Sequence, residues 1–350
     1  MTPIEYPLWV WILFFFVVLT ALFVDIGIVN RKSHAPSRRE TFAWSAVWVS
    51  LALLFCGFIY SQFGTFKAKE FLTGYLIELS LSIDNLFVFL LIFSYFKVPK
   101  KYQHRVLFWG IFMALVLRMI MIFAGVELVE SFNWLLYVFG AFLIYTGIKM
   151  FGEDDVFEPH ESALIRLTTK FIRISKHYDG DRFFVKVDGR TTGTLLLLVL
   201  IIINIADLVF AVDSIPAILG VTTDRFIVYT SNIFAILGLR TFFFLLADLH
   251  DRFHYLKYGL AFVLTFIGIK MLLPLFAEGL LLLIGGGSPE VAEFLTRYQH
   301  HEFEQLLINI SLGVVVTAIA LSVLFSVIFP VNKVEEPSSG SEPEEDTAPS

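Results

Sequence analysis

Residues 194–219 read TLLLLVLIIINIADLVFAVDSIPAIL, and this stretch decides the fold. It is long enough to cross the hydrocarbon core of a bilayer as a helix, which takes about 20 apolar residues. Its only ionisable side chains are Asp207 and Asp213, six residues apart. An earlier apolar stretch carries Glu78 and Asp84 at the same separation. A carboxylate in hydrocarbon costs about 2.5–3.5 kcal/mol, so two matching acid pairs indicate a functional site.

The composition extends this interpretation to the whole chain. Of its 350 residues, 57% are hydrophobic and only 17% are charged, which is unusual for a soluble protein. The sequence therefore predicts an all-α polytopic membrane protein with about nine transmembrane helices. The predicted spans are about 8–29, 42–62, 72–95, 106–126, 133–151, 194–219, 226–247, 257–275 and 303–330.

Spans 3–5 resemble spans 6–8. In each set an acid pair is followed by an arginine, Arg118 or Arg240, and then by the motif Gly-Ile-Lys-Met, which begins at Gly147 or Gly268. Because three crossings is an odd number, the second set must run through the membrane in the opposite direction. Inverted repeats of this kind are common in secondary transporters, which bind their substrate near the midplane at the repeat interface. We therefore expect both sets to contribute to one site.

The repeat also sets the predicted organisation of the chain. The predicted units are 1–71 with two peripheral spans, 72–151 with the first repeat, 152–193 as a cytoplasmic loop, 194–275 with the second repeat, 276–330 as an external loop and a ninth span, and 331–350 as a disordered acidic tail. In the loop, the apolar face of Leu164, Leu167, Phe171 and Ile174 predicts an amphipathic helix. A short strand with an Asp188-Gly189 turn is expected after it.

Basic residues predict the orientation. They gather after spans 1, 3, 5 and 7, for example at Arg31, Lys100, Arg166 and Arg252. Positive charge marks cytoplasmic connections, so we expect the N-terminus outside and the C-terminus in the cytoplasm, with the protein in the cell (inner) membrane. The acidic tail, with six acids and no base in residues 334–350, accounts for the net charge of −6.

The predicted site is built from oxygen donors. All eight histidines fall in loops or near span ends, and the single cysteine lies in another span. Oxygen ligands suit Mn²⁺, Ca²⁺ or Mg²⁺ and disfavour Cu(I) and Zn. Four carboxylates with Arg118 and Arg240 sum to −2, which one divalent cation or two protons would neutralise. The predicted ligands are Glu78, Asp84, Asn85, Asn204, Asp207, Asp213 and Ser214.

Counting along the two antiparallel spans gives an expected depth for each carboxylate. Glu78 should be level with Asp213, and Asp84 with Asp207, with the two levels about 9 Å apart at 1.5 Å per residue. Pro216 is expected to break span 6 just beyond Asp213.

The motifs ELSLSIDN at 78–85 and DLVFAVDSIPA at 207–217 resemble the signatures of the TerC/Alx family of integral membrane proteins. The resemblance runs from about residue 5 to about residue 330. This family is named for tellurite resistance, and its members are associated with manganese export and metal homeostasis. The resemblance implies that Glu78, Asp84, Asp207 and Asp213 form a manganese path. An oxygen-only site does not account for tellurite chemistry.

The expected function is export of Mn²⁺ by a secondary transporter that exchanges it for protons, with no tightly bound cofactor. The sequence contains no Walker motif, nucleophile elbow or HExxH motif, so we do not expect an enzyme. Two alternatives remain: a membrane scaffold for metal loading of partner proteins, and a Ca²⁺/H⁺ exchanger. The expected partners are the lipid bilayer and a divalent metal ion, not nucleic acid. Homo-oligomers and membrane partner proteins are left open.

Overall fold

The computed structural model describes residues 6–24, 38–152, 174–175, 178–187, 190–247, 255–283 and 301–328. Within these ranges the chain forms nine helices and one hairpin of two strands. The helices are α1 (Leu8–Val24), α2 (Arg38–Tyr95), α3 (Lys100–Ser131), α4 (Leu135–Gly152), α5 (Leu195–Leu219), α6 (Arg225–Leu237), α7 (Leu239–Ala247), α8 (Leu256–Leu283) and α9 (His301–Ile328). The strands β1 (Phe184–Val187) and β2 (Arg190–Gly193) lie between α4 and α5.

The helices confirm an all-α polytopic membrane protein. In the described part of the chain, six helices (α2, α3, α4, α5, α8 and α9) are long and apolar enough to cross a bilayer. Helices α6 and α7 meet at a bend of 43° and make a seventh span if they are counted together. Each predicted span overlaps a helix, but the count of nine stays a prediction. The described part of α1 has only 17 residues, and α2 covers two predicted spans.

Helix α2 consists of two segments that meet at Gly64. Its 58 residues would extend about 87 Å as one straight helix, about three times the hydrocarbon thickness of a bilayer. Gly64 has φ 85° and ψ 177°, a backbone conformation that is essentially restricted to glycine. The helical path therefore breaks at this residue, between predicted spans 2 and 3, and helix resumes directly after it.

The helices of the two predicted repeats pack against each other in the pattern expected of two inverted units. The first predicted repeat corresponds to the second segment of α2 with α3 and α4, and the second repeat to α5, α6–α7 and α8. Helix α2 packs on α6 and α7, while α3 packs on α5. The first helix of each unit thus contacts the second helix of the other, and the third helices, α4 and α8, pack together.

The contact between α4 and α8 has a local two-fold character. A Cβ added at Gly147 would lie 2.8 Å from the carbonyl oxygen of Ala261, and one added at Gly268 would lie 2.6 Å from that of Gly140. Gly147 and Gly268 are equivalent in the predicted repeat, as are Gly140 and Ala261. A two-fold rotation that relates α4 to α8 would therefore convert each of these contacts into the other. This symmetry of the α4–α8 contact supports the inverted repeat, which stays a prediction for the other helices.

Pro216 does not break α5. The helix continues from Leu195 to Leu219 with Pro216 in its last turn, so the expected break after Asp213 is wrong. Pro216 has no N–H to donate to the carbonyl four residues earlier, but only three residues of the helix follow it, and its own carbonyl oxygen accepts from the N–H of Gly220 at 2.9 Å. The interruption in the second repeat lies instead at Gly238, between α6 and α7.

The loop after α4 ends in a β-hairpin that confirms the predicted short strand. Strands β1 and β2 pair antiparallel, with Phe184 opposite Gly193. The Asp188-Gly189 turn, Leu164, Leu167 and Phe171 of the predicted amphipathic helix, and the acidic tail all lie outside the described residues. Ile174 forms a β-bridge with Gly193, so it is not helical as expected.

Candidate cation site in the membrane core

Three charged side chains from three helices meet in the interior. Arg118 of α3 forms an ion pair with Glu78 of α2. Its guanidinium also contacts Asp207 of α5, with Nη2 at 3.2 Å from Oδ1 and Nε at 3.4 Å from Oδ2. Two of the predicted ligands are therefore bridged by one of the two predicted charge-balancing arginines.

This triad is almost completely removed from solvent. Glu78, Arg118 and Asp207 are 1%, 2% and 3% exposed. A further hydrogen bond reaches Glu78 from the Ser82 hydroxyl, which donates to Oε1 at 3.1 Å. Two carboxylates and one guanidinium leave a formal charge of −1. A buried group of this kind persists only when its charges are paired, because an unpaired buried ion is very costly.

The triad links two carboxylates that the sequence predicts at different depths. Glu78 is predicted to be level with Asp213, and one guanidinium joins it to Asp207. This contact does not place the two carboxylates at one depth, so the predicted depths stay a prediction. Spacing along straight helices fixes depth only to about one turn and does not include the reach of a long arginine side chain from a third helix. The pairing of Glu78 with Asp207 is therefore set by Arg118, which a residue count along two helices does not include.

The other predicted ligands divide by exposure and bonding. Asp213 is partly exposed and has no hydrogen bond or ion pair with any described residue. Ser214 and Asn85 are buried, and the Ser214 hydroxyl and the Asn85 Nδ2 have no hydrogen-bond partner among the described residues. Asn204 donates from Nδ2 to the Leu200 carbonyl at 2.8 Å, which leaves its Oδ1 without a described partner. These polar groups without a described partner therefore lie in the two acidic motifs or, for Asn204, three residues before the second motif.

Asp84 and Arg240 complete the predicted set. Asp84 belongs to α2, but its side chain lies outside the described part of the structure. Arg240 is 7% exposed and lies in α7, two residues after the bend at Gly238. The second arginine is therefore buried like the first, next to the bend in its span.

The described residues do not include a preformed metal cage. Among them, no three His, Cys, Asp or Glu side chains are close enough together to hold an ion. Glu78 and Asp207 are held by Arg118 instead. A cation that binds these carboxylates would have to displace the guanidinium or approach them from the unpaired Oε2 of Glu78.

A second charged network lies at one end of the molecule and was not expected from the sequence. The Lys67 ammonium bridges Glu70 at 2.8 Å and Asp224 at 2.7 Å. The Tyr6 hydroxyl donates to Asp224 at 2.7 Å, and burial together with this hydrogen bond raises the pKa of the Tyr6 phenol well above its usual range. The i,i+3 spacing of Lys67 and Glu70 was the available signal for this network, since side chains at that spacing are neighbours on a helix.

This end network lines a cavity of about 620 Å³. The cavity lies where the second segment of α2 begins, α5 ends and α6 begins. Lys270, from the second Gly-Ile-Lys-Met motif, also lines it. The hairpin is at the opposite end, where the Tyr178 hydroxyl donates to the Phe96 carbonyl at 2.7 Å. The predicted orientation would make the cavity external and the hairpin cytoplasmic.

Comparison with known proteins identifies relatives over most of the chain. The profile of the integral membrane protein TerC family matches residues 63–333. An uncharacterised membrane protein of Myxococcus xanthus is 52% identical over 264 residues, which are 75% of this chain and 82% of that protein. A candidate membrane-bound redox modulator, Alx, of Escherichia coli strain K12 is 48% identical over 283 residues, 78% of this chain and 88% of its own. The protein of the same name in Photorhabdus laumondii is 46% identical over 305 residues, which are 84% of this chain and 94% of that protein. No solved structure matches.

Proposed function

The chain belongs to the TerC family of integral membrane proteins, and from that premise we propose that it is a secondary transporter that exports Mn²⁺ from the cytoplasm in exchange for protons. Its membrane-spanning helices give it direct contact with the lipid bilayer. The proposal places it in the cell (inner) membrane, with the N-terminus and the cavity around Lys67 outside and the hairpin in the cytoplasm.

The observation that carries this proposal is the pairing of Arg118 with both Glu78 and Asp207. A guanidinium between two carboxylates acts as the protein's own cation, at a point where helices of both predicted repeats meet. It stabilises the carboxylates while the site is empty, when their charges would otherwise be unpaired in a medium of low dielectric constant. An incoming metal ion competes with Arg118 for the same oxygen atoms.

Proton exchange follows from the charge of the same residues. Glu78, Asp207 and Asp213 carry three negative charges against one positive charge on Arg118, and this leaves −2. Including Asp84 and Arg240 adds one charge of each sign and does not change the sum. One Mn²⁺ or two protons neutralise it, so binding of either disfavours binding of the other. Competition for shared carboxylates is the simplest basis for antiport.

The ligand chemistry supports a hard cation. The predicted donors are carboxylate, amide and hydroxyl oxygens, which suit Mn²⁺ and also Ca²⁺. The relatives named Alx are described as redox modulators, and their name specifies no metal. The chain has a single cysteine, so a redox function through an internal disulfide has no chemical basis in this sequence. The family resemblance is the reason to choose Mn²⁺ over Ca²⁺.

Flux through the purified protein tests the proposal. The full-length chain is reconstituted into liposomes, a pH gradient is imposed, and entry of Mn²⁺ is followed with an internal indicator dye. We expect Mn²⁺ uptake that depends on the gradient and proceeds without any other protein. A scaffold for metal loading would give no flux in the absence of its partners. A Ca²⁺/H⁺ exchanger would transport Ca²⁺ in preference to Mn²⁺, and either result would overturn the proposal.

A further inference from the structure

Asn232 is a buried polar residue of α6 that neither acidic motif contains. It is 1% exposed. Its Nδ2 donates to the carbonyl oxygen of Val228, one turn earlier, at 3.0 Å. Because a carbonyl can only accept, this bond fixes which end of the amide faces the helix backbone. The Oδ1 atom therefore points away from that carbonyl, and it has no hydrogen-bond partner among the described residues.

The neighbours of Asn232 on its helix define the direction in which it faces. Val228 and Ile236, four residues before and after it, share its face of α6. Val228 packs in an apolar cluster with Ala211 of α5 and Ile122 of α3, and Ile236 packs in another cluster with Ala206 of α5. Asn232 thus lies between these two clusters, on a face of α6 whose clusters contain residues of α2, α3 and α5.

The same interval of α5 contains Asp207, the partner of Arg118. Ala206 and Ala211, which belong to the same clusters as the two flanking residues of α6, bracket Asp207 in the sequence. Arg118 lies on α3 between Ile111, which packs against the cluster of Ile236, and Ile122, which belongs to the cluster of Val228. The charged triad and Asn232 therefore occupy one polar layer between apolar clusters.

A buried amide oxygen without a partner is costly unless something binds it. Asn204 of α5 has the same arrangement, with Nδ2 bonded to the carbonyl four residues earlier and Oδ1 without a described partner. Amide oxygens are neutral, hard ligands for divalent cations, and they are not protonated in the pH range where carboxylates titrate.

We infer that Asn232 supplies an additional oxygen ligand to the transported divalent cation, next to the carboxylates of the Arg118 triad. This inference rests on the proposed function. A neutral oxygen strengthens metal binding without adding a group for which protons compete. Asn232 thereby favours the metal over protons at a site whose other ligands bind both.

Substitution of Asn232 tests the inference with Mn²⁺ itself as the probe. Equilibrium binding of Mn²⁺ to the purified full-length protein is measured by electron paramagnetic resonance, and half-saturation of flux in proteoliposomes is measured in parallel. Asn232→Leu removes the oxygen at similar volume and should weaken Mn²⁺ binding by about ten- to a hundredfold, as loss of metal-site groups typically does. Asn232→Asp keeps an oxygen donor at that position and should retain binding.

Thr230 provides the matched control. It is fully buried on the same helix, but its hydroxyl already donates to the Phe226 carbonyl at 2.8 Å. Thr230→Val should leave Mn²⁺ affinity unchanged. Unchanged affinity in Asn232→Leu would overturn the inference while wild-type flux upheld the proposed function. Equal loss in the Leu and Asp variants would show a structural role and overturn it too. Absence of Mn²⁺ binding and flux in the wild type would remove the proposed function and this inference together.

Discussion

Arg118 is the residue on which the interior depends most. It is 2% exposed and forms ion pairs with carboxylates on two other helices. Replacing a whole buried ion pair by neutral groups is often tolerated, whereas removing one partner leaves an uncompensated charge and costs about 3–5 kcal/mol. The triad should therefore respond very differently to single and combined substitutions.

Arg118→Met should lower the free energy of unfolding by about 3–5 kcal/mol, because Glu78 and Asp207 lose their counter-charge together. The triple variant Glu78→Gln, Arg118→Met, Asp207→Asn should recover most of that stability but none of the transport. Denaturation of the detergent-solubilised protein, followed by tryptophan fluorescence, measures both variants. If the single variant is as stable as wild type, the buried ion pairs do not hold the three helices together.

The sequence identified most of these residues but not their partners. Burial of Glu78, Asp207, Arg118 and Arg240 could be predicted because charged residues inside long apolar runs almost always face the interior of a helix bundle or a cavity. The pairing of Glu78 with Asp207 could not be predicted, since it depends on helix rotation and on the direction of a long side chain. Neither quantity is encoded in residue spacing along one helix.

At the scale of elements, glycines set the distance between α4 and α8. Gly147 and Gly268 each lie so close to the opposite backbone that an added Cβ would collide with a carbonyl oxygen. Small residues at such contacts let membrane helices approach closely, which is how they gain packing energy in lipid. Their equivalence in the repeat makes the two positions a matched pair.

Gly147→Leu and Gly268→Leu should each destabilise the protein by at least about 1–3 kcal/mol, because overpacking forces the two helices apart. The two effects should be similar, since each glycine makes the contact that the other makes in reverse. Gly152→Leu is the control at the end of α4, because an added Cβ there has no neighbour within 4 Å among the described residues. Thermal unfolding midpoints report all three. A large effect of Gly152→Leu, or of only one of the other two, would contradict the two-fold contact.

The helices and the interruption at Gly64 between predicted spans 2 and 3 were largely predictable, but the bend inside the second repeat was not. Bilayer thickness imposes a minimum length on each apolar run, so every predicted span overlaps a helix. The sequence predicted a break at Pro216, whereas the second repeat bends at Gly238. Pro216 has only three helical residues after it, so it leaves little helix to redirect, and a break at glycine depends on packing with other helices. Local sequence alone does not contain that information.

At the scale of the whole molecule, the charged triad lies between two differently built ends. One end holds the cavity with Tyr6, Lys67 and Asp224, and the other holds the hairpin that packs against the start of the second repeat. A buried site between two distinct ends is the arrangement that alternating access requires, because the site must connect to each side in turn. The proposed transporter therefore uses the triad as its central site and the two ends as its entrances.

The most direct test of the proposed transport site is the initial rate of Mn²⁺ uptake driven by a pH gradient into proteoliposomes that contain carboxylate variants. Asp213→Asn removes the partly exposed carboxylate that has no partner among the described residues, and Asp84→Asn removes the matching acid of the first motif. Asp181→Asn, which alters an exposed ion pair with Arg105, is the control. We expect the first two variants to reach the membrane but fall to the background rate, while Asp181→Asn transports like wild type. Full rates in both Asp84→Asn and Asp213→Asn would contradict the assignment of the site.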